Sequence, residues 1–212
     1  MQDRSTVVIE AAAEAQAMAA IYTFLATVFT SHPTQATVDG MRSLAAELGV
    51  PMTDDIELSA LDREYMALFV VPNPRYVAPY ESVFRDRWLL PIAPHPGAAD
   101  SAISVMIKGL VMGESTLAVR ACYRQAGISF GEDLPDHIGN ELRFMGYLWT
   151  CQAQSCDDQA SALAAWRRHF RDNHLLAWIG DLRERLAESD ELGYYGIALK
   201  VAEIILREDA RL

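Results

Sequence analysis

Cysteine is scarce in this chain. There are three, at Cys122, Cys151 and Cys156, and none forms a CxxC pair. An odd, sparse set excludes a disulfide scaffold and the common zinc frameworks, and it suits a reducing cytoplasm. Positive charge is also short: 18 Lys and Arg stand against 29 Asp and Glu, a net charge of -11. Residues 1–70 carry three arginines against ten acids. Nucleic acid and anionic membrane are poor partners for such a chain, because both repel it. No Gly-x-x-x-x-Gly-Lys loop and no nucleophile elbow is present, which removes the usual phosphate-binding and acyl-transfer signatures. Long apolar runs are missing too. The stretch "AQAMAAIYTFLATVFT" (15–30) is uncharged but short of the roughly 20 residues of a membrane helix. Glu10 and Glu14 precede it where a signal peptide has positive residues. It reads as a buried helix, with no stable membrane insertion.

What is present is helical periodicity. Hydrophobic residues make up 51% of the 212 and charged residues 22%, a composition that supports one compact domain. Met18, Ile21, Leu25, Val28 and Phe29 lie on one stripe of a helix over about 6–30. Met41, Leu44, Ala45 and Leu48 mark a second helix, stopped by Gly49 and Pro51. Leu58, Leu61, Tyr65, Leu68 and Phe69 mark a third. The segment 70–100 then holds six of the nine prolines. Proline forbids the helix interior, so this is a long irregular loop with a short helix expected at about 82–89. Tyr76, Tyr80, Phe84 and Trp88 in it argue against disorder. Further helices are expected over about 101–111, 114–126, 135–153, 157–171, 174–188 and 191–208. No stretch alternates with period 2, so the expected class is all-α, with no sheet beyond an incidental pair of residues.

The stretch "GEDLPDHIGNELRFMGYLW" (131–149) begins a helix with an unusual entrance. Asp133 suits an N-cap and Pro135 a first turn. Asp136 lies where the helix dipole favours an anion. His137 and Glu141 share a face at i, i+4. Capping accounts for Asp133 and Pro135, but an imidazolium is disfavoured at a helix start. A neutral His137 held by Asp136 or Glu141 is expected. His137 and Glu141 alone are too few for a catalytic zinc site, which usually takes three protein ligands. His174 and Trp178, also i, i+4, read as structural.

Four segments in order resemble a known family: "EYMALFVVPNPRYVAPYESVF" (64–84), "GESTLAVRACYRQAGI" (113–128), "LPDHIGNELRFMGYL" (134–148) and "HFRDNHLLAWI" (169–179). They look like the TorD/DmsD/NarJ family of redox-enzyme maturation chaperones. The resemblance covers nearly the whole chain, and "PDH" followed by "EL-FM" is its most specific part. It implies a single all-helical domain over 1–212, with an N-terminal half to about 127, a hinge at about 128–135 and a C-terminal half from about 136. It implies a cytoplasmic chaperone, not an enzyme, for a molybdenum-cofactor oxidoreductase subunit. Such a chaperone binds the N-terminal or twin-arginine signal region of the precursor and holds it for cofactor insertion, as monomer or dimer. Carried over, the PDH loop points to Pro135, Asp136 and His137, and the PYESVF motif to Pro79, Tyr80, Ser82 and Phe84. Asp86, Trp88 and Glu141 join them as candidate client-contacting residues. By the same resemblance the hinge is a place for a weak contact with guanine nucleotide or molybdopterin guanine dinucleotide, with no resident cofactor or metal. The family usually passes quickly from the PYESVF-like motif to the GESTL-like one, whereas here residues 86–112 intervene, so the groove and the client stay open.

Two further readings remain at this point. One is a small helical enzyme or guanine-nucleotide-binding protein using Asp136, His137 and Glu141. The other is a structural helical subunit of a redox complex. For Tyr80, Phe84 and Trp88, a place in the core competes with a place in a groove. The case for peptide binding also rests on chemistry. A twin-arginine signal is basic then apolar, and an acidic protein with an aromatic proline loop complements both.

Overall fold

The computed structural model describes residues 4–53, 55–92, 103–128, 134–155 and 157–211. The first helix, α1 (Arg4–Thr30), is rich in alanine, the best helix former, and its threonines turn inward on their own helix. Thr23, Thr27 and Thr30 each donate to the carbonyl four residues back. With Glu10 and Glu14 included, the apolar part of α1 extends over Glu10–Thr30, 21 residues and not short of a membrane helix by length and composition. In the fold it is a core helix: Tyr22, Leu25, Ala26 and Phe29 are buried.

Its partner is α6 (Ile138–Ala153), and small residues bring the two close. A Cβ on Gly139 would lie 2.3 Å from Thr30 Cγ2 and one on Gly146 3.0 Å from Thr23 Oγ1. These glycines are i, i+7 and so share the face of α6 that meets α1. Between them lie α2 (Gln35–Glu47), which Thr34 and Thr37 open with a reciprocal cap, and α3 (Leu58–Tyr65). A π turn (Met66–Val70) continues α3. The C-terminal part comprises α7 (Asp157–Phe170), a π turn (Arg171–Leu175), α8 (Leu176–Ala187) and α9 (Tyr194–Asp209). Gly193, at φ +70°, precedes α9.

One buried carboxylate ties four of these helices. Asp209, on α9, accepts from Tyr22 (2.7 Å) on α1 and from Trp149 Nε1 (3.1 Å) on α6, and it pairs with Arg167 on α7. Arg171 approaches it at 3.5 Å, and the Arg167 guanidinium stacks 3.3 Å above the Trp149 ring.

The segment between the two main motifs departs from expectation. A short α4 (Glu81–Arg85) is followed by β1 (Arg87–Ile92) and β2 (Ile103–Lys108), an antiparallel pair in register from Arg87↔Lys108 to Ile92↔Ile103. The helix expected over 101–111 is therefore a strand at 103–108, and the helix expected at 82–89 stops at Arg85. The reason lies in side-chain shape. Ile103, Val105 and Ile107 are β-branched, which favours a pleated surface. Both alternating sets hold apolar residues, so period 2 was masked. Pro91 is accommodated in a strand that has a single partner among the described residues. Otherwise the all-α reading holds: the remaining elements are helical, with α5 (Glu114–Gln125) after the hairpin.

Candidate functional site

The two motifs that the sequence singled out meet backbone to backbone. Tyr80 and His137 form an isolated antiparallel bridge. Ile138 N–H donates to Pro79 O and Glu81 N–H to Asp136 O, both at 2.9 Å. Asp136 closes the seam with its side chain, accepting from Ser82 N–H at 3.0 Å, and thereby caps the start of α4 across 54 residues of sequence. Tyr123 on α5 donates to Pro135 O (2.8 Å) and Asn140 Nδ2 to Leu134 O (3.1 Å). Two proline-bearing loops that cannot form helix supply their backbone groups to each other, which is how an irregular segment can be packed.

The cap of α6 is His137, not Asp133. Its Nδ1 accepts from Gly139 N–H at 3.0 Å, while Asp133 lies outside the described residues. Pro135 is buried in the turn before the cap, not in the first helical turn. The expected hydrogen bond from His137 to Asp136 or Glu141 is thus replaced by one from the backbone. Accepting at Nδ1 requires a neutral ring with its proton on Nε2, which removes the unfavourable cation from the helix start. The His137 ring also stands edge-on to Tyr80, with centroids 5.2 Å apart.

Burial divides the candidates. Pro79, Ser82, Pro135, Asp136 and Glu141 are buried, whereas Tyr80, Phe84, Asp86 and His137 are half-buried and Trp88 is exposed. Asp136 offers no surface in this arrangement. Phe84 stacks on Trp178 at 5.6 Å, and Trp178 Nε1 donates to Glu141 Oε2 at 3.1 Å. Asp86 accepts from Ser115 N–H (3.0 Å) and its hydroxyl (2.6 Å), fixing the first turn of α5. Burial, reinforced by the neighbouring charge of Glu81, pushes the Glu141 carboxyl well above the usual carboxylate range. The buried carboxyl thus holds its proton more tightly than a free one.

Glu81 and His174 were not among the sequence candidates. Glu81 is fully buried, pairs with Arg85, and accepts from His174 Nδ1 at 2.9 Å. Arg85 also donates to Asn173 O at 2.6 Å. Burial pulls His174 down, but its bonds to Cys122 and Glu81 outweigh that and raise it to about 9. The available signal was a lone acid inside an aromatic and hydroxyl motif. Its histidine partner is 93 residues away.

Beside the seam the hairpin presents apolar surface. Trp88 is 42% exposed, and the cross-strand pair Leu89 and Met106 are 65% and 52% exposed. A pocket of about 170 Å³ is lined by Arg85, Asp86, Arg87, Trp88 and Glu114. Among the described residues, no group of three or more His, Cys, Asp and Glu is placed to hold a metal ion.

The four motifs all fall inside the span that a known family matches. Residues 31–184 match the profile of the nitrate reductase delta subunit family. Two curated proteins, each named chaperone protein TorD, from Vibrio vulnificus strains YJ016 and CMCP6, are 28% identical over 193 residues. Each alignment covers 86% of this chain and 88% of the relative.

Proposed function

The chain belongs to the nitrate reductase delta subunit family, and from that premise we propose that it is a cytoplasmic chaperone for the catalytic subunit of a molybdenum-cofactor oxidoreductase. It binds the N-terminal, twin-arginine signal region of the precursor and holds that subunit for cofactor insertion before assembly or export. It has no turnover of its own in this reading. The observation that carries the proposal is the Tyr80–His137 bridge, which joins the two family motifs into one half-exposed seam beside an apolar hairpin. The TorD proteins it resembles are named chaperones, and the likeness runs over most of both chains.

The chemistry assigns the two ends of the client segment differently. Arg87 and Lys108 face each other across the strands, so the hairpin does not attract arginines. Its exposed apolar groups, Leu89 and Met106 on one face and Trp88 on the other, are the contacts it offers the apolar stretch. The arginines are drawn by the acidic chain as a whole, which speeds encounter more than it holds the complex. Asp136 and Glu141 act from within: they position Ser82 and Trp178, and through them the seam.

Calorimetric titration with the client's signal peptide tests this. Binding is expected at low salt and weakens as salt rises, since exposed charges are screened within about 8–10 Å near physiological ionic strength. Trp88→Ala and Tyr80→Ala should weaken binding by about tenfold or more, as for aromatic anchors at an interface. Trp88→Ala should leave stability within about 0.5 kcal/mol, as for exposed positions. No binding at low salt would refute docking of the signal peptide.

A further inference from the structure

Glu81, His174 and Cys122 stand in line, each on a different element. Glu81 Oε2 lies 2.9 Å from His174 Nδ1, and His174 Nε2 lies 3.9 Å from Cys122 Sγ. The π turn at Arg171–Leu175 carries His174 on one side, α4 carries Glu81, and the last turn of α5 carries Cys122. A nucleophile, an imidazole and a carboxylate that orients it form the arrangement by which proteins activate a thiol. Glu81 and His174 are buried, while Cys122 is half-exposed. His174 also forms part of the wall of a surface pocket of about 390 Å³, with Ser115, Ala118, His169 and Asn173.

We propose that Cys122 is a modification site: a nucleophilic thiol, prepared by the His174–Glu81 pair, that undergoes exchange with small disulfides such as glutathione disulfide. The Cys122 thiol gives up its proton, and its sulfur attacks one sulfur of the disulfide. A new S–S bond joins Cys122 to one half, the original S–S bond breaks, and the other half leaves as a thiolate that takes a proton. Cys122 is oxidised and the small disulfide is reduced by the same two electrons. Exchange needs a thiolate and access, whereas acyl transfer also needs an oxyanion site. An imidazole nitrogen 3.9 Å from the sulfur, with its other nitrogen fixed by a buried carboxylate, is placed to stabilise a thiolate as it attacks. Arg85 shares Glu81 with His174, and Glu81 is the carboxylate that faces the imidazole. Cys151 provides an internal reference. Its neighbour is the Tyr147 phenol, which it raises by hydrogen bonding.

Incubating the full chain with glutathione disulfide at neutral pH and mapping mixed disulfides by peptide mass spectrometry tests the assignment. Cys122 is expected to react roughly tenfold faster than Cys151, and the adduct to be released by dithiothreitol. His174→Gln should bring Cys122 down to the rate of Cys151, with circular dichroism confirming that the variant is folded. Urea-unfolded wild-type protein, which keeps the sequence but loses the line-up, should lose the preference as well. Equal rates in the folded protein would overturn the proposal. So would an unchanged Cys122 rate in folded His174→Gln, a preference that survives unfolding, or oxygen adducts in place of glutathione.

Discussion

Asp209 and the Glu81–Asp136–Glu141 group are both fully buried, and their surroundings differ in charge. Asp209 is one acid among two arginines, a tyrosine and an indole. Its charge is matched by Arg167, while Arg171 also pairs with Asp172, and it ties α1, α6, α7 and α9 together. The other group places three acids near one arginine and one histidine. There the balance is met by proton affinity: the Glu141 carboxyl and the His174 imidazole are both raised. Buried charge that is paired makes a fixed joint. Buried charge in excess makes a joint whose stability depends on proton activity. The second joint underlies the seam that joins the two family motifs.

The contrast can be broken at either end. Asp209→Ala should be the most damaging change, because it strands Arg167 and Arg171 in the interior. Removing one partner of a buried ion pair costs about 3–5 kcal/mol, and chemical denaturation should read that loss. Asp136→Ala should cost less, about 1–3 kcal/mol, since it leaves the buried Ser82 N–H without its acceptor. Its loss of client binding should follow its loss of stability. If Asp136→Ala remains as stable as wild type while binding collapses, Asp136 touches the client directly and the buried arrangement opens on binding.

The smallest effect sharpens the comparison by pH. His174 has a folded-state value of about 9 against 6.5 when unfolded. Its contribution is fully present below 6.5 and is lost as pH rises through 9. Glu141, also raised, acts with the same sign: the folded state holds a proton that the unfolded state releases. Thermal melts should therefore show Tm falling between pH 6.5 and 9, and His174→Gln should flatten that fall.

Much of this was legible in the chain before folding. Periodicity marked α1, α2, α3 and α5 closely, because each has an apolar face of the right spacing and a stop such as Gly49 or Gly127. The order of four motifs pointed to the family. Tyr80, Asp136 and His137 were singled out, and they do meet. The hairpin was missed because Leu89 and Met106 interrupt the alternation of two strands only six residues long. The cap was assigned to Asp133 because aspartate is the commoner capping residue, and only the seam with Pro79 decides where α6 begins. Gly139 and Gly146 were passed over, since their use depends on a helix more than 100 residues earlier.

By itself the sequence determined the helical class, the acidic surface and the two irregular motifs. Those follow from local propensity, from charge, and from proline's exclusion from helices. Tertiary structure alone decided that Asp136 faces inward, that His137 is a neutral cap, and that Glu81, His174 and Cys122 align. Burial and proton affinity depend on what packs against a group. Here the deciding neighbours are 52 to 93 residues away, on helices whose approach no local pattern records.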